Sequence, residues 1–195
     1  MNPKRGKTAS TEERVIEKTV FTEATLETEY SNCLFSNCDF SDIHLGEVLF
    51  DNCRFVACNF SLVKMEKTSW SHVRFEECKM TGIDFTDCNR FTFSACFIGC
   101  NLNYAVYTAN NLQDTRFEDC TLEEATFSQS NLKGASFANC NLRRAIFSSS
   151  NLEKADFSTA LHFEIDPNSN KLTNATFSRF GLSGLVASFG IKLVD

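Results

Sequence analysis

The sequence predicts an all-β solenoid, a single domain of four-sided coils stacked into a rod. Three observations carry this. Large apolar residues recur at every fifth position from Phe35 to Phe85 and again from Phe97 to Phe157. A small or β-branched residue stands two places before nearly all of them, and polar residues fill the other three places. Cysteines recur at intervals of twenty, at Cys38, Cys58 and Cys78 and again at Cys100, Cys120 and Cys140. A step of five fits neither the period of a helix nor the alternation of a strand. Five residues with two inward side chains make one side of a coil, and the recurrence at twenty closes four sides rather than three.

Composition agrees. The chain has 195 residues, one domain by length. It holds 20 Phe but only 3 Tyr and 1 Trp, so one packing position is used over and over. With 43% hydrophobic and 23% charged residues it is neither disordered nor membrane-spanning by composition. No apolar run is long enough for a transmembrane helix. The net charge of -6 argues against free nucleic acid or an anionic membrane as a partner.

Residues 1–20 are basic at the start and lack the apolar stretch of a signal peptide, so a flexible tail is expected there. The coils are expected over 21–177. Phe21 and Leu26 are in phase with each other but one residue out of phase with Tyr30, which predicts an irregular opening coil. The core centres of the first run are Phe35, Phe40, Phe50, Phe55, Phe60, Phe75 and Phe85, with Trp70 in one such place. Those of the second are Phe97, Phe117, Phe127, Phe137, Phe147 and Phe157. Leu alternates with Phe in the second run, and Tyr107 stands in for one Phe. Four sides then place Leu opposite Leu and Phe opposite Phe. Roughly seven coils at the strand spacing of about 4.8 Å give a rod of about 35 Å.

Phe85 and Phe97 are twelve residues apart, two more than two units hold. The register therefore breaks within 86–96, either as a bulge or kink in the rod or as a small protruding loop with Asn89 and Arg90 as contact residues. The DPNSN stretch is turn chemistry, which predicts an outward bulge over 163–174, although Phe157 to Phe177 keeps the twenty-residue phase. In 178–195, Leu182, Leu185, Val186 and Phe189 have helical spacing, Gly190 reads as a stop, and Ile191, Leu193 and Val194 read as a short terminal strand. A stacked rod needs its apolar end covered. This segment either caps the last coil or caps it and also dimerises through Leu182, Leu185, Val186, Phe189, Ile191 and Leu193.

Eight of the ten cysteines hold the inward small position, where they act as small buried hydrophobes. Unpaired thiols in such number fit a reducing compartment, hence the cytoplasm. Cys88 and Cys96 fall outside the inward run, near the register break, and are the two candidates to test for reactivity. The Cys spacings and the dispersed His44, His72 and His162 give no zinc cluster. No catalytic or phosphate-binding motif is present either, so neither enzyme activity nor a cofactor is expected. Asn101, Asn111, Asn131, Asn141 and Asn151 precede central Leu residues and read as turn-forming side chains stacked from coil to coil. Acidic pairs lie at Glu76–Glu77, Glu118–Asp119 and Glu123–Glu124. They serve either solubility or as an acidic stripe that meets a basic DNA-binding channel.

The units NLKGA, NLEKA, DFSTA and NLRRA match the consensus A(D/N)LXX, and over 21–177 the chain resembles the pentapeptide-repeat family. The resemblance implies a right-handed quadrilateral β-helix. The ending from IDPNSNK to GIKLVD resembles members that protect DNA gyrase, of the microcin B17 immunity and albicidin resistance types, and the chain as a whole is similar to gyrase-protecting members that include the quinolone resistance type. It implies a non-catalytic DNA-mimicking rod that binds gyrase or topoisomerase IV and dimerises through its C-terminal module. It implies no direct contact with nucleic acid or membrane. A rigid scaffold for an unrelated partner is the alternative.

Overall fold

Each five-residue side behaves as a short strand followed by a corner. Within it the side chains alternate in, out and in, and the fifth residue turns the chain by adopting a left-handed conformation. Asn32, Asp42, Asn52, Ala57 and Leu62 occupy such corners at φ of 51° to 61°. For non-glycine residues this conformation costs roughly 1–2 kcal/mol each. It persists because the backbone is bonded to the coils on either side. The Phe40 N–H donates to Asn59 O at 2.8 Å, and the Asn59 N–H donates to Cys38 O at 3.0 Å.

The computed structural model describes residues 13–192 and 194, which form a right-handed quadrilateral β-helix with one short C-terminal helix. One face is a parallel sheet of nine strands: Arg14–Glu17, Cys33–Ser36, Arg54–Val56, Val73–Glu76, Ala95–Ile98, Arg116–Glu118, Ser136–Ala138, Asp156–Phe157 and Thr176–Phe177. We call this face A, and B, C and D follow in chain order. Face D carries strands Glu29–Ser31, Leu49–Asp51 and Ser69–Ser71, and face C carries Thr126–Ser128 and Ile146–Ser148. Face B is held by single bridges such as Asp39↔Asn59 and Asn101↔Thr121.

Every predicted core-centre Phe is buried. On face A they stack ring on ring, with centroids 4.7 Å apart for Phe35–Phe55, 5.2 Å for Phe75–Phe97 and 4.8 Å for Phe137–Phe157. Across the core, Phe117 meets Phe127 edge to face at 6.0 Å, so Phe does lie opposite Phe in the second run. The asparagines behave as read. Asn131 Nδ2 donates to Asn111 Oδ1 at 2.9 Å and Asn151 Nδ2 to Asn131 Oδ1 at 3.2 Å, while Asn141 Oδ1 accepts the Arg143 N–H at 3.2 Å.

Several expectations need correction. The tail expected over 1–20 is coil from residue 13 onward, because Arg14–Glu17 pairs in parallel with Cys33–Ser36 and Ile16 packs on the core. Residues 1–12 lie outside the described residues. Nine strands on face A make eight coil steps, so the rod is about 38 Å long at the strand spacing. The outward bulge is narrower than 163–174. Phe163 and Ile165 are buried, and the chain turns outward at Asp166, whose Oδ1 accepts the Asn168 N–H at 2.9 Å. The helix spans only Ser183–Val186, between 3-10 turns Arg179–Gly181 and Ala187–Phe189. Gly190 ends this segment at φ 64°, as read. Ile191, Lys192 and Val194 lie in no strand, and Leu193 is outside the described residues.

The register break is a loop on face D rather than a kink. The Asn89 N–H still donates to Thr68 O at 3.0 Å, residues 90–93 leave the wall, and the Ser94 N–H rejoins at Trp70 O at 2.8 Å. Coils on either side keep their stacking, with Phe85–Tyr107 centroids 4.9 Å apart. Cys88 is not outside the inward positions. It is buried, and its thiol donates to Met65 O at 3.5 Å.

Two consequences are measurable by denaturant unfolding. Phe127→Asp, which buries an unpaired charge, is expected to abolish cooperative unfolding of the native rod, whereas Glu124→Ala shifts stability by no more than about 0.5 kcal/mol. Equal effects would contradict the register. The Tyr107 hydroxyl is fully buried with no hydrogen-bond partner among the described residues. Tyr107→Phe is therefore expected to raise stability by about 1 kcal/mol, since it removes an unsatisfied buried polar group.

Candidate partner-binding site

The acidic pairs fall where the solenoid register puts them, and most have partners. Glu76 and Glu118 share face A, with Ile98 in register between them. Glu76 takes Arg54 Nη2 at 2.6 Å and also contacts Arg74 Nε. The hydrogen bond from Arg54 holds the Glu76 carboxyl below the usual carboxylate range. Arg116 Nη2 lies 2.7 Å from Glu118 Oε2. Face A thus presents a column of guanidiniums beside a column of carboxylates. Its local charge is largely compensated.

Glu77 and Asp119 occupy the next corner at φ 54° each, with Gly99 between their coils. Asp119 Oδ1 accepts from Asn139 Nδ2 at 3.0 Å. Glu123 and Glu124 lie at the following corner. Glu123 Oε1 accepts from Asn141 Nδ2 at 2.6 Å, and Glu124 lies 3.5 Å from Arg144 Nη1. The acids are therefore spread over two neighbouring corners and one face.

The loop at the break is more distinctive. Phe91 is 101% exposed at its tip, the most solvent-exposed large apolar side chain described. The loop is built to hold it there. Asn89 Oδ1 accepts the Phe91 N–H at 3.2 Å and Asn89 Nδ2 donates to Ser69 Oγ at 3.1 Å. Arg90 reaches back to Thr86 O, and Phe93 is buried edge-on against Phe85 at 5.5 Å. Asn89 and Arg90 were legible as loop residues. Phe91 was not, because nothing in a run of three consecutive loop residues says which side chain points outward.

The C-terminal end is the other apolar surface. Phe180, Leu182, Phe189, Ile191 and Val194 are exposed, while Leu185 packs on the core and Val186 is half-buried. Gly181 and Gly184 bring this segment onto Phe163, so closely that a Cβ at Gly184 would collide with the Phe163 backbone. The Ile165 N–H donates to Gly184 O at 3.0 Å.

Cys96 is half-buried on face A, in register between Arg74 and Arg116. Burial outweighs the two guanidiniums and raises its thiol, and burial pushes Cys88 up to about 12. Neither is an activated nucleophile. Native-state alkylation at neutral pH is expected to modify Cys96 slowly and first, with the other nine thiols protected until the rod unfolds. Rapid modification of Cys88 in the folded protein would refute its inward placement.

The model of the pentapeptide repeat region matches residues 28–96 and 90–185. The chain belongs to the pentapeptide-repeat family. No curated protein matches its sequence. Its fold is similar to that of full-length QnrB1, a plasmid-mediated fluoroquinolone resistance protein, with 17% identity, a TM-score of 0.53, and coverage of 91% of this chain and 97% of that one. It is also similar to HetL from the cyanobacterium Nostoc sp. strain PCC 7120, a pentapeptide-repeat protein involved in heterocyst differentiation regulation. There the identity is 16%, the TM-score 0.50, and the coverage 85% and 87%.

Proposed function

We propose that this pentapeptide-repeat chain is a non-catalytic rod that binds a bacterial type II topoisomerase, DNA gyrase in the first place, and shields it from a poison. The observation that carries the reading is the loop tip. A rigid acidic rod of duplex-like dimensions holds one fully exposed aromatic side chain, Phe91, beside Arg90 at mid-length. Aromatic and arginine side chains are the usual anchors of protein interfaces. The likeness in fold to a fluoroquinolone resistance protein supports the choice of partner.

Electrostatics set the manner of binding. Duplex DNA carries one charge per about 1.7 Å, so about 22 over a rod of this length. This chain carries -6 in all, and its face A acids are bound to arginines. Shape and the loop therefore supply most of the recognition, with the acids at Glu77, Asp119, Glu123 and Glu124 assisting. The exposed apolar C-terminal segment pairs two copies end to end and doubles the rod. In keeping with its ten unpaired thiols, the protein works in a reducing cytoplasm.

One observation favours a second reading. Compensation of Glu76 and Glu118 by Arg54, Arg74 and Arg116 is what a scaffold for a different partner would show.

A gyrase supercoiling assay, titrated with the protein in the presence of a quinolone or albicidin, separates the two. Rescue at micromolar protein is expected, with Arg90→Ala combined with Phe91→Ala raising the required concentration at least tenfold. The salt dependence of binding is expected to be shallower than that of DNA. Absence of both rescue and inhibition at high concentration would reject the topoisomerase reading in favour of the scaffold.

A further inference from the structure

Six successive coils place a cysteine at one inward corner: Cys38, Cys58, Cys78, Cys100, Cys120 and Cys140, all buried. The backbone fixes their stacking. The N–H groups of Asn59, Lys79, Asn101, Thr121 and Asn141 donate to the carbonyls of Cys38, Cys58, Cys78, Cys100 and Cys120 at 2.9–3.1 Å. Each cysteine thus sits one coil above the last, with its side chain pointing inward in parallel. The neighbouring ring column gives the step: 5.1 Å for Phe55–Phe75, 5.2 Å for Phe75–Phe97 and 5.1 Å for Phe117–Phe137.

Packing does not require cysteine here. The equivalent corner on face D is filled by Val48, Thr68, Cys88, Asn110, Ser130 and Ser150, all buried. A small donor is useful at both corners. Cys58 and Cys78 donate to Phe35 O and Phe55 O on face A, and Ser130 and Ser150 donate to Tyr107 O and Phe127 O on face C. Serine or asparagine therefore does the structural work on face D, yet the face B column is sulfur at six coils in a row. A second, shorter column stacks Cys33 under Cys53.

A row of soft ligands at this spacing matches one kind of ion. Thiolate–metal bonds are about 2.3 Å long, as in zinc sites, so two thiolates bound on opposite sides of one ion are about 4.6 Å apart. That is close to the strand spacing of about 4.8 Å and about half an ångström below the ring step. The ion would lie along the rod axis, roughly at right angles to the two inward Cβ–Sγ bonds. A disulfide would need the sulfurs at about 2.05 Å and a twisted dihedral, which parallel side chains do not offer. Among the described residues no three His, Cys, Asp or Glu side chains converge as a metal-binding group, so a tetrahedral zinc cage is not available. Thiolates select soft ions such as Cu(I).

We infer that the face B thiol column is a binding site for soft monovalent d10 ions of linear two-coordination, Cu(I) or Ag(I), each bridging the cysteines of adjacent coils. One cation displaces two thiol protons and forms two sulfur–metal bonds. No electron is transferred, and the bridged unit carries one negative charge. At partial loading the thiols of unfilled pairs stay protonated beside the charged unit; at full loading all six are thiolates, so each further ion on the column binds more weakly than the last. Loading proceeds by opening of the end coils, where Thr19 lies below Cys38 and Ala160 above Cys140.

The test uses the full chain, reduced and held under argon in chloride-free buffer. It is titrated with Ag(I) and followed by native mass spectrometry and far-UV circular dichroism. Complexes of up to four silver ions are expected with the β-helix spectrum unchanged, three on the six-thiol column and one on Cys33–Cys53. Cys78→Ser combined with Cys120→Ser leaves only the pairs Cys38–Cys58 and Cys33–Cys53, so the limit falls to two. Cys96→Ser leaves it at four, and Zn(II) does not compete. X-ray absorption on the silver-loaded wild-type protein is expected to show two sulfur neighbours, a readout that needs no variant to fold. No uptake by the folded protein, uptake only with loss of the β-helix spectrum, an unchanged limit in the double variant, or three or more sulfur neighbours would each overturn the inference.

Discussion

The structure depends on one backbone constraint, the hydrogen bonding of each coil to the coil twenty residues before and after it. That ladder fixes the distance between stacked side chains at the strand spacing. It also holds the corner residues in a left-handed conformation that they would not adopt alone. Once it is in place, every inward side chain meets a copy of its own position. Phenylalanine is favoured there because flat rings stack at the same spacing that the backbone imposes. The face A rings, parallel to within 15° between Phe55 and Phe75, are the result.

The same constraint explains how an insertion is tolerated. Two extra residues cannot be absorbed within a side, since they would displace every later ring. The chain ejects them from face D instead, between Asn89 and Ser94, and rejoins at Trp70 O. Three faces do not register the event. The wall therefore provides a rigid base for a short loop, and a side chain on that loop is presented without the entropy loss of ordering a long one. The link from repeat to candidate function runs through this rigidity.

Polar order inside the rod follows from the ladder too. Carbonyls of the central Phe residues accept hydrogen bonds from small donors of the coil above: thiols on face B, and hydroxyls or amides on face D. Outside, Asn side chains bond to their own turn and to the Asn one coil away. Charged residues add little, because exposed ion pairs are worth about 0–1 kcal/mol. They matter for what the surface offers a partner, and on face A they largely cancel.

Much of this was legible in the sequence because the period of five is a local pattern with only one way to close. It determined the coil, the four sides, the buried Phe positions, the stacked Asn turns and the existence and size of the break. It did not reveal the first coil, where Arg14, Glu17 and Lys18 surround a single inward Ile16 and read as a charged tail. Phe163 was missed because its burial depends on Gly181 and Gly184 arriving from later in the chain. The pairing of Glu76 with Arg54 joins residues twenty-two apart on adjacent coils, and the exposure of Phe91 depends on where Asn89 anchors the loop. The sequence alone therefore determined which residues repeat and face inward, since inward packing is set by neighbours a fixed step away. Only the tertiary structure decided what the surface presents, since an outward side chain takes its partner, or its freedom, from whichever coil or segment comes to lie beside it.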